Sequence, residues 1–240
     1  MSWILQLTCE RNEMIRLLKG DCLQKMSEIE SGSVDMVVTD PPYGMDFVSN
    51  RSKDGPRHKA IANDDVFFAE WLGESFRVLK DGGGIISFCD WNTSHLWRQS
   101  IEQYGFDLKS QGVWNRMHHG MGDLTGSFAP MHDIIWYATK GKRKFANKRP
   151  KSVFSHRRPS PSDDHGHPTC KPVSLMQELI HGIGDGSNGT VLDPFMGSGS
   201  TGVAAQRLEL PFIGIELDDN YFEIAKKRLE GNNGLSSFFS

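Results

Sequence analysis

Apolar residues along this chain form short continuous runs that alternate with longer amphipathic segments. The short runs predict buried strands at Ile15–Leu18, Val34–Thr39, Ile85–Cys89, Leu108–Trp114, His132–Thr139, Thr190–Leu192 and Phe212–Ile215. Segments with a helical repeat predict helices at Cys22–Ile29, Val66–Leu79, Ser94–Tyr104, Pro172–Ile183, Thr201–Leu208 and Asp219–Leu229. This alternation is typical of an α/β fold with a mostly parallel sheet and helices on both faces.

Two long segments lack any clear period. One runs from Asp46 to Asp64, and the other runs from Lys140 to Asp164 and is rich in Arg, Lys, Pro and Ser. Both are interpreted as long exposed loops, and loops of this length often carry function. The 240 residues suit a single domain spanning residues 1–240.

Composition excludes several classes of protein. Apolar residues make up 38% and charged residues 24%, which is ordinary for a globular domain and argues against wholesale disorder. No apolar run approaches the roughly 18 residues of a membrane span, and the start lacks signal-peptide features, so we expect a cytoplasmic protein without a membrane partner. The scattered cysteines predict free buried thiols and no metal site; they are Cys9, Cys22, Cys89 and Cys170.

Positive charge is concentrated in one part of the chain. Between Ile134 and Ser162 there is no Asp or Glu, and nine Lys and Arg residues give +9. The net charge is −3, so the remainder carries −12. A basic patch on an acidic body is an electrostatic footprint for phosphates, although a solvated basic loop would have the same composition.

A glycine-rich turn follows the predicted strand near residue 191. The sequence from Val191 to Thr201 reads VLDPFMGSGST, and Glu216 ends the next strand, 19 residues after Gly197. Such a turn lets a ligand approach the backbone, and the acidic residue can accept hydrogen bonds from ribose hydroxyls. A purely structural turn and a dehydrogenase remain alternatives, although only about 40 residues follow the motif and a dehydrogenase would carry it near its N-terminus.

A second constellation follows the predicted strand Val34–Thr39. It consists of Asp40, Pro41, Pro42 and Tyr43. In an open parallel sheet, ligands bind at the carboxyl ends of strands. The Asp40 carboxylate and the Pro41 carbonyl can accept the two hydrogens of an amine, and Tyr43 offers a face for stacking a base. The alternative is a Pro-Pro turn in which Asp40 acts as a cap.

Three motifs together resemble those of amino-group DNA methyltransferases. Asp40-Pro41-Pro42-Tyr43 resembles the family's catalytic motif, and the segment 193–199, DPFMGSG, resembles its cofactor motif. The segment 167–172, HPTCKP, resembles a further cofactor-side motif, with Cys170 in place of the usual acidic or amide residue. The order, catalytic motif first, resembles the circularly permuted beta subclass, and the likeness covers about residues 16–229.

This resemblance implies an S-adenosylmethionine-dependent methyltransferase (Rossmann-like) fold and assigns roles within it. Asp193 and the Gly197–Gly199 loop should hold the methionine part of S-adenosylmethionine, Glu216 its ribose, and Asp21 its adenine. Lys171 should lie near the cofactor carboxylate, or else be a solvated first-turn lysine. The full set of implied cofactor-binding residues is Asp21, Cys22, Lys171, Asp193, Phe195, Gly197, Ser198, Gly199, Thr201, Glu216 and Leu217.

The implied reaction is methylation of the N6 amine of adenine in double-stranded DNA after base flipping, by direct in-line transfer. An Asp at the start of the catalytic motif is usual for adenine enzymes in this family. Cytosine-N4 methylation, a catalytically silent DNA-binding relative and an RNA or protein amine methyltransferase remain alternatives.

Target recognition is expected in the basic loop at about residues 140–166. A loop this short reads few base edges, which favours a short or relaxed recognition sequence. The residues predicted to contact DNA are Arg51, Lys53, Arg57, Lys142, Arg143, Lys144, Lys148, Arg149, Arg157 and Arg158. The resemblance also makes a homodimer and a role in restriction–modification possible expectations.

Overall fold

The computed structural model describes residues 14–43, 67–120, 124–145, 148–159, 170–184 and 188–231. Its strands are β1 (Ile15–Lys19), β2 (Val34–Thr39), β3 (Leu79–Cys89), β4 (Asp107–Asn115), β5 (His132–Thr139), β6 (Val153–Ser155), β7 (Val191–Asp193) and β8 (Phe212–Glu216). Its helices are α1 (Cys22–Ser27), α2 (Trp71–Val78), α3 (Ser94–Gln103), α4 (Val173–Ile183), α5 (Ser200–Arg207) and α6 (Asp219–Gly231).

The eight strands form one sheet in the order β1-β8-β7-β2-β3-β5-β4-β6. Strand β5 is antiparallel to both of its neighbours, and every other pairing is parallel. The prediction of a mostly parallel sheet is therefore confirmed. As a consequence, the carboxyl ends of β1, β8, β7, β2 and β3 lie along one edge, where ligands bind in folds of this kind.

Apolar side chains pack on both faces of the sheet. Along β2, Met36 and Val38 belong to one buried cluster and Val37 to the other. The first cluster includes side chains from α4, α5 and α6, and the second includes side chains from α1, α2 and α3. The prediction of helices on both faces is thus confirmed, and the central strand β2 is fully buried along its length.

The prediction of an unstructured loop over Lys140–Asp164 was wrong at its centre. Strand β6 pairs in parallel with the end of β4, and the Val113 N–H donates to the Ser152 carbonyl at 2.8 Å. The middle residue of β6, Phe154, is buried in the core. One buried aromatic residue within a basic segment gives no periodic signal, so the sequence pattern does not predict this edge strand.

Strand β3 is longer than the sequence predicts, because it begins at Leu79 and passes through the glycines that were expected to separate it from α2. Gly82 has φ +81°, and the pairing with β2 shifts register in this part of the strand. The glycines therefore form an irregularity within the strand. No helix within the described residues is long and apolar enough to span a membrane.

Candidate active site and cofactor pocket

The four residues of the candidate catalytic motif begin directly after β2. Asp40 is half-buried and Pro41 is buried. The Tyr43 hydroxyl donates a hydrogen bond to Asp40 Oδ1. Burial and the Asp40 charge raise the pKa of Tyr43 well above its ordinary value, so the phenol keeps its proton and remains a donor. Tyr43 was predicted to stack on a base, but here its ring packs against the core and its hydroxyl holds the carboxylate.

Lys171 lies against this carboxylate. It stands just before α4, is 6% exposed, and its Nζ donates to Asp40 Oδ2. The same Nζ is 3.5 Å from the Tyr43 hydroxyl. The resemblance had placed Lys171 beside the cofactor carboxylate; the structure places its ammonium on Asp40. This contact joins the residue after β2 to the start of α4.

Aromatic rings surround the Lys171 ammonium. The centroid of the Phe88 ring lies 4.9 Å from Nζ, and the centroids of Tyr43 and Trp114 lie 5.9 Å away. Phe88 and Trp114 are buried. Such rings attract a cation through their negative faces. No sequence motif pointed to these two residues, because each is an ordinary inward-facing residue of a strand.

Asp193, the last residue of β7, is buried and fully hydrogen-bonded. Its carboxylate accepts from the Thr39 hydroxyl at 2.7 Å, the Thr201 hydroxyl at 2.6 Å and the Phe195 N–H at 3.1 Å. Burial raises the pKa of Asp193 to about 6, and these donors act in the opposite direction. Because Thr39 precedes Asp40, its hydroxyl joins the candidate catalytic motif to the glycine loop. Thr39 was not among the predicted site residues.

The glycine loop turns tightly between β7 and α5. Gly197 has φ +52° and Gly199 has φ +84°, a left-handed conformation that favours glycine. A Cβ on Gly199 would lie 3.0 Å from Ala225 Cβ, so the loop also packs closely on α6. The Gly197 N–H donates to Glu216 Oε2 at 2.9 Å. This hydrogen bond joins the glycine loop after β7 to the end of β8 at the carboxyl edge of the sheet.

Glu216 ends β8 with both carboxylate oxygens engaged by backbone N–H groups, the second from Asp218 at 2.8 Å. Burial raises its pKa. Its carbonyl accepts from the Gly20 N–H, which brings the end of β1 and Asp21 to the same place. The Asp21 carboxylate accepts from the Gln24 N–H at 3.1 Å and so caps α1. These acidic groups line the carboxyl edge, as a nucleoside site requires.

The remaining predicted pocket residues differ in exposure. Cys22 is buried, and burial raises its pKa to about 12; the buried thiol of Cys89 behaves alike, with a pKa of about 12. Neither is a reactive thiolate. Phe195 packs edge-on against Trp71 at 5.5 Å, whereas Leu217 is 47% exposed. Cys9 lies outside the described residues.

Cys170 occupies the position where the resembled motif carries an acidic or amide residue. Its sulfur lies 3.2 Å from the Ser200 hydroxyl and 3.5 Å from the Ser198 hydroxyl. Arg228 on α6 donates to the Ser198 carbonyl. The sulfur thus meets the glycine loop through hydroxyl groups, so the departure from the motif is accommodated by direct contacts.

A cavity of about 540 Å³ opens between the start of α4, α5 and α6. The described residues that line it include five cationic side chains and no carboxylate. The five are Arg157, Lys171, Arg207, Lys227 and Arg228. Converging positive charges on a concave surface attract phosphate groups. Only Arg157 and Lys171 were among the predicted site residues, because the other three belong to separate amphipathic helices.

The predicted DNA-contacting residues fall into three groups. Arg51, Lys53 and Arg57 lie outside the described residues. Arg143 donates from Nε to the Ile183 carbonyl at 2.9 Å and from Nη1 to the Gly82 carbonyl at 2.6 Å, so it ties the basic segment to the core. The exposed members are Lys142, Lys144, Lys148, Arg149, Arg157 and Arg158.

Comparisons with known proteins match this arrangement. A family model described as DNA methylase (N6_N4_Mtase) matches residues 34–227. The type II methyltransferase M.HpaI of Haemophilus parainfluenzae is 30% identical over 247 residues, covering 92% of this chain and 76% of that protein. The crystal structure of the M1.HpyAVI–SAM complex has a TM-score of 0.71 and 28% identity, covering 90% of this chain and 99% of that one.

A more distant structure shares the fold alone. The PvuII DNA methyltransferase, described as cytosine-N4-specific, has a TM-score of 0.70 at 17% identity, with 89% of this chain and 86% of that chain covered. The predicted fold of S-adenosylmethionine-dependent methyltransferases is confirmed by these neighbours. Since the family model spans most of the sequence, including both candidate motifs, the chain belongs to the N6_N4_Mtase family of DNA methylases.

Proposed function

We propose that this chain transfers a methyl group from S-adenosylmethionine to the N6 amine of adenine in double-stranded DNA, as an enzyme of the permuted beta subclass. The observation that carries the proposal is the hydrogen bond from Thr39 to Asp193. It fixes the amine acceptor Asp40 beside the glycine loop at one edge of the sheet. The chain's relatives include proteins named as type II methyltransferases, and its family is described as DNA methylase.

The residues at this edge suit the cofactor. Glu216 and Asp21 carry carboxylates at the ends of adjacent strands, and the loop from Gly197 to Gly199 turns tightly with positive φ angles at both glycines. We assign the ribose to Glu216, the adenine to Asp21 and the methionine part to the loop. We assign Asp193 a supporting role, because both oxygens of its carboxylate accept hydrogen bonds from Thr39, Thr201 and Phe195.

S-adenosylmethionine, when bound, supplies an electrophilic methyl group on a sulfonium that leaves as a neutral thioether. Asp40 and the Pro41 carbonyl would accept the two hydrogens of the target amine and leave its lone pair directed at the methyl carbon. In that position the Asp40 carboxylate would also accept the one proton that the amine must lose when it is methylated. Positioning of this kind accounts for much of the rate gain in such transfers.

The target base must leave the duplex to reach Asp40, at a cost of about a few kcal/mol for unstacking. We propose that Tyr43 stacks on the flipped base after its hydroxyl leaves Asp40. The proposal is supported by the position of the Tyr43 side chain, which is only partly buried and donates its hydroxyl to Asp40.

Adenine is favoured over cytosine by the Asp at the start of the motif. Cytosine-N4 transfer is the second candidate, because a cytosine-N4-specific enzyme shares the fold and the two exocyclic amines have similar geometry. The experiment that separates them is methyl transfer to unmethylated duplex DNA, followed by digestion and mass analysis of nucleosides. N6-methyladenine is expected; N4-methylcytosine would replace the adenine assignment.

The same assay tests the site. The variant Asp40→Asn keeps the shape of the side chain but loses the charge, and we expect transfer to fall at least about 100-fold while cofactor binding stays within a few-fold. Asp107→Asn is the matched control, because Asp107 begins strand β4 away from Asp40 and its exposed carboxylate pairs with Lys109. Equal activity of both variants would contradict the proposal, as would transfer to RNA or protein but not to DNA.

For DNA binding we propose that the exposed cations of the basic segment and the 540 Å³ cavity contact backbone phosphates. Few side chains of the basic segment are available to contact base edges, because Arg143 donates its hydrogen bonds to backbone carbonyls. A short or relaxed recognition sequence follows. A demonstrated requirement for six defined base pairs would count against it.

A further inference from the structure

Lys171 occupies the acceptor to which the target amine is assigned. Its Nζ carries hydrogens on nitrogen, as the target amine does, and donates to Asp40 Oδ2. The other carboxylate oxygen accepts from the Tyr43 hydroxyl. Both oxygens of the proposed amine acceptor therefore already receive a hydrogen bond from the chain itself.

Among the described residues, aromatic side chains pack closely around the Lys171 ammonium. The ammonium is enclosed by the rings of Phe88, Trp114 and Tyr43, and the residue is 6% exposed. A purine that reaches Asp40 needs the space that the end of the Lys171 side chain fills. Occupation of Asp40 by the lysine and by the base is therefore mutually exclusive.

Charge development gives a second reason for the lysine to leave. The target nitrogen becomes positive as it takes the methyl group, and a neighbouring ammonium opposes that change by Coulomb repulsion in a site of low polarity. Asp40, by contrast, favours the same change only when its own charge is not neutralised by an ion pair. A retained Lys171 would thus work against transfer from both sides.

We propose that Lys171 is a stand-in for the target amine: it holds Asp40 and Tyr43 in place until a flipped base displaces it. The inference rests on the proposed function, since it takes Asp40 as the amine acceptor. The displaced ammonium has a destination nearby, because Lys171 also lines the cationic cavity, where a DNA phosphate would receive it. Lys171 is then a positioning residue that makes entry of the base competitive.

The first test measures base flipping with 2-aminopurine at the target position and saturating cofactor. Lys171→Met keeps the length of the side chain but removes the ammonium. If the ammonium fills the site in about nine molecules of ten, the apparent Kd for the flipped state falls about 10-fold, and the KM for DNA falls with it. Lys171→Arg retains a cationic donor, so its apparent Kd for the flipped state should lie closer to that of the parent enzyme than the Kd of Lys171→Met does.

The matched control is Lys80→Met. Lys80 pairs with Asp35 at 2.8 Å, at the opposite end of the same strand β2, so this variant removes a similar ion pair away from the site. It should leave flipping unchanged. Unchanged or weaker flipping in Lys171→Met, or a rise in KM, would show that the lysine only supports the fold and would overturn the proposal.

The second test uses the unaltered enzyme and does not depend on a variant that folds. A buried, hydrogen-bonded ammonium gives a protected ¹⁵N side-chain signal. We expect the Lys171 signal to persist with a duplex that has an abasic site at the target position, and to disappear with the intact duplex. A signal that persists with intact DNA, in an enzyme that methylates that DNA, overturns the stand-in role alone. Absence of transfer to any DNA would instead contradict the proposed function.

Discussion

Removing the Thr201 hydroxyl should destabilise the protein in a pH-dependent way. Its Oγ donates to Asp193 Oδ2 at 2.6 Å, and both residues are buried. Valine has nearly the same shape, so Thr201→Val deletes one donor with little repacking. A hydrogen bond to a charged group contributes about 1.5–3 kcal/mol, which predicts a loss of about 2 kcal/mol where Asp193 is ionised.

The direction of the pH dependence follows from the pKa of Asp193. Burial raises it from 3.8 to about 6, so the folded protein retains a proton that the unfolded chain releases between those values. The contribution of Asp193 to the free energy of unfolding is therefore fully present below about pH 4 and is lost as the pH rises through 6. The Thr201 hydroxyl favours the charged form, so the cost of Thr201→Val should grow from about 1 kcal/mol or less near pH 4.5 to about 2 kcal/mol near pH 8.

Urea unfolding of both proteins at the two pH values gives the two costs directly. The same substitution in an Asp193→Asn background completes a double-mutant cycle, and there its cost should be small and independent of pH. Equal costs at both pH values, or an undiminished cost in the Asp193→Asn background, would refute the assignment of this hydrogen bond as the support of a buried charge.

Three further predictions concern other parts of the site. Gly214→Ala places a Cβ against Met196 Sδ and 2.7 Å from Phe212 Cε1, so it should lower the free energy of unfolding, measured with urea, by about 1–3 kcal/mol. A decrease of less than about 0.5 kcal/mol would contradict this close packing. Lys227→Ala should weaken binding to DNA of every sequence and should reduce by about 1 the slope of the logarithm of the binding constant against the logarithm of salt concentration. Lys226→Ala, beside it but outside the cavity lining, should leave that slope unchanged. Equal slopes for the two variants would exclude the cavity as a phosphate site. Tyr43→Phe keeps the ring and should retain transfer within about 3-fold, whereas Tyr43→Ala should lose most of it; equal losses would argue against stacking.

The local parts of the site were predictable because each is a continuous segment. The run Val34–Thr39 is β-branched and apolar, which indicates a buried strand, and the following carboxylate then lies at the ligand-binding edge. The glycines of the loop are required by positive φ at Gly197 and Gly199. Such signals need no knowledge of the remaining chain, so composition and order along the sequence are enough.

Contacts between distant segments could not be predicted in this way. Lys171 meets Asp40 across 131 positions, and the pairing depends on how α4 packs against the sheet. Likewise, the basic composition of the segment after β5 indicated an exposed loop, while the burial of Phe154 and the carbonyl contacts of Arg143 tie parts of it to the core. A charged segment can thus provide both phosphate contacts and structure, which its composition does not distinguish.

Strands β2 and β7 pair with each other, and this pairing fixes the position of Asp40 relative to the glycine loop, although the two are far apart in sequence. Only two residue pairs of these strands are in register, Met36 with Val191 and Val37 with Leu192. A side-chain hydrogen bond joins the two strands at each end of this short pairing. At the start Asp35 accepts from the Thr190 N–H at 2.8 Å, and at the carboxyl ends Asp193 accepts from the Thr39 hydroxyl. In-line transfer depends on placement to a fraction of an ångström, which so short a backbone pairing alone fixes poorly. If Asp40 holds the target amine as proposed, the side-chain clamp at Asp193 would carry that precision, because Asp40 is the next residue after Thr39.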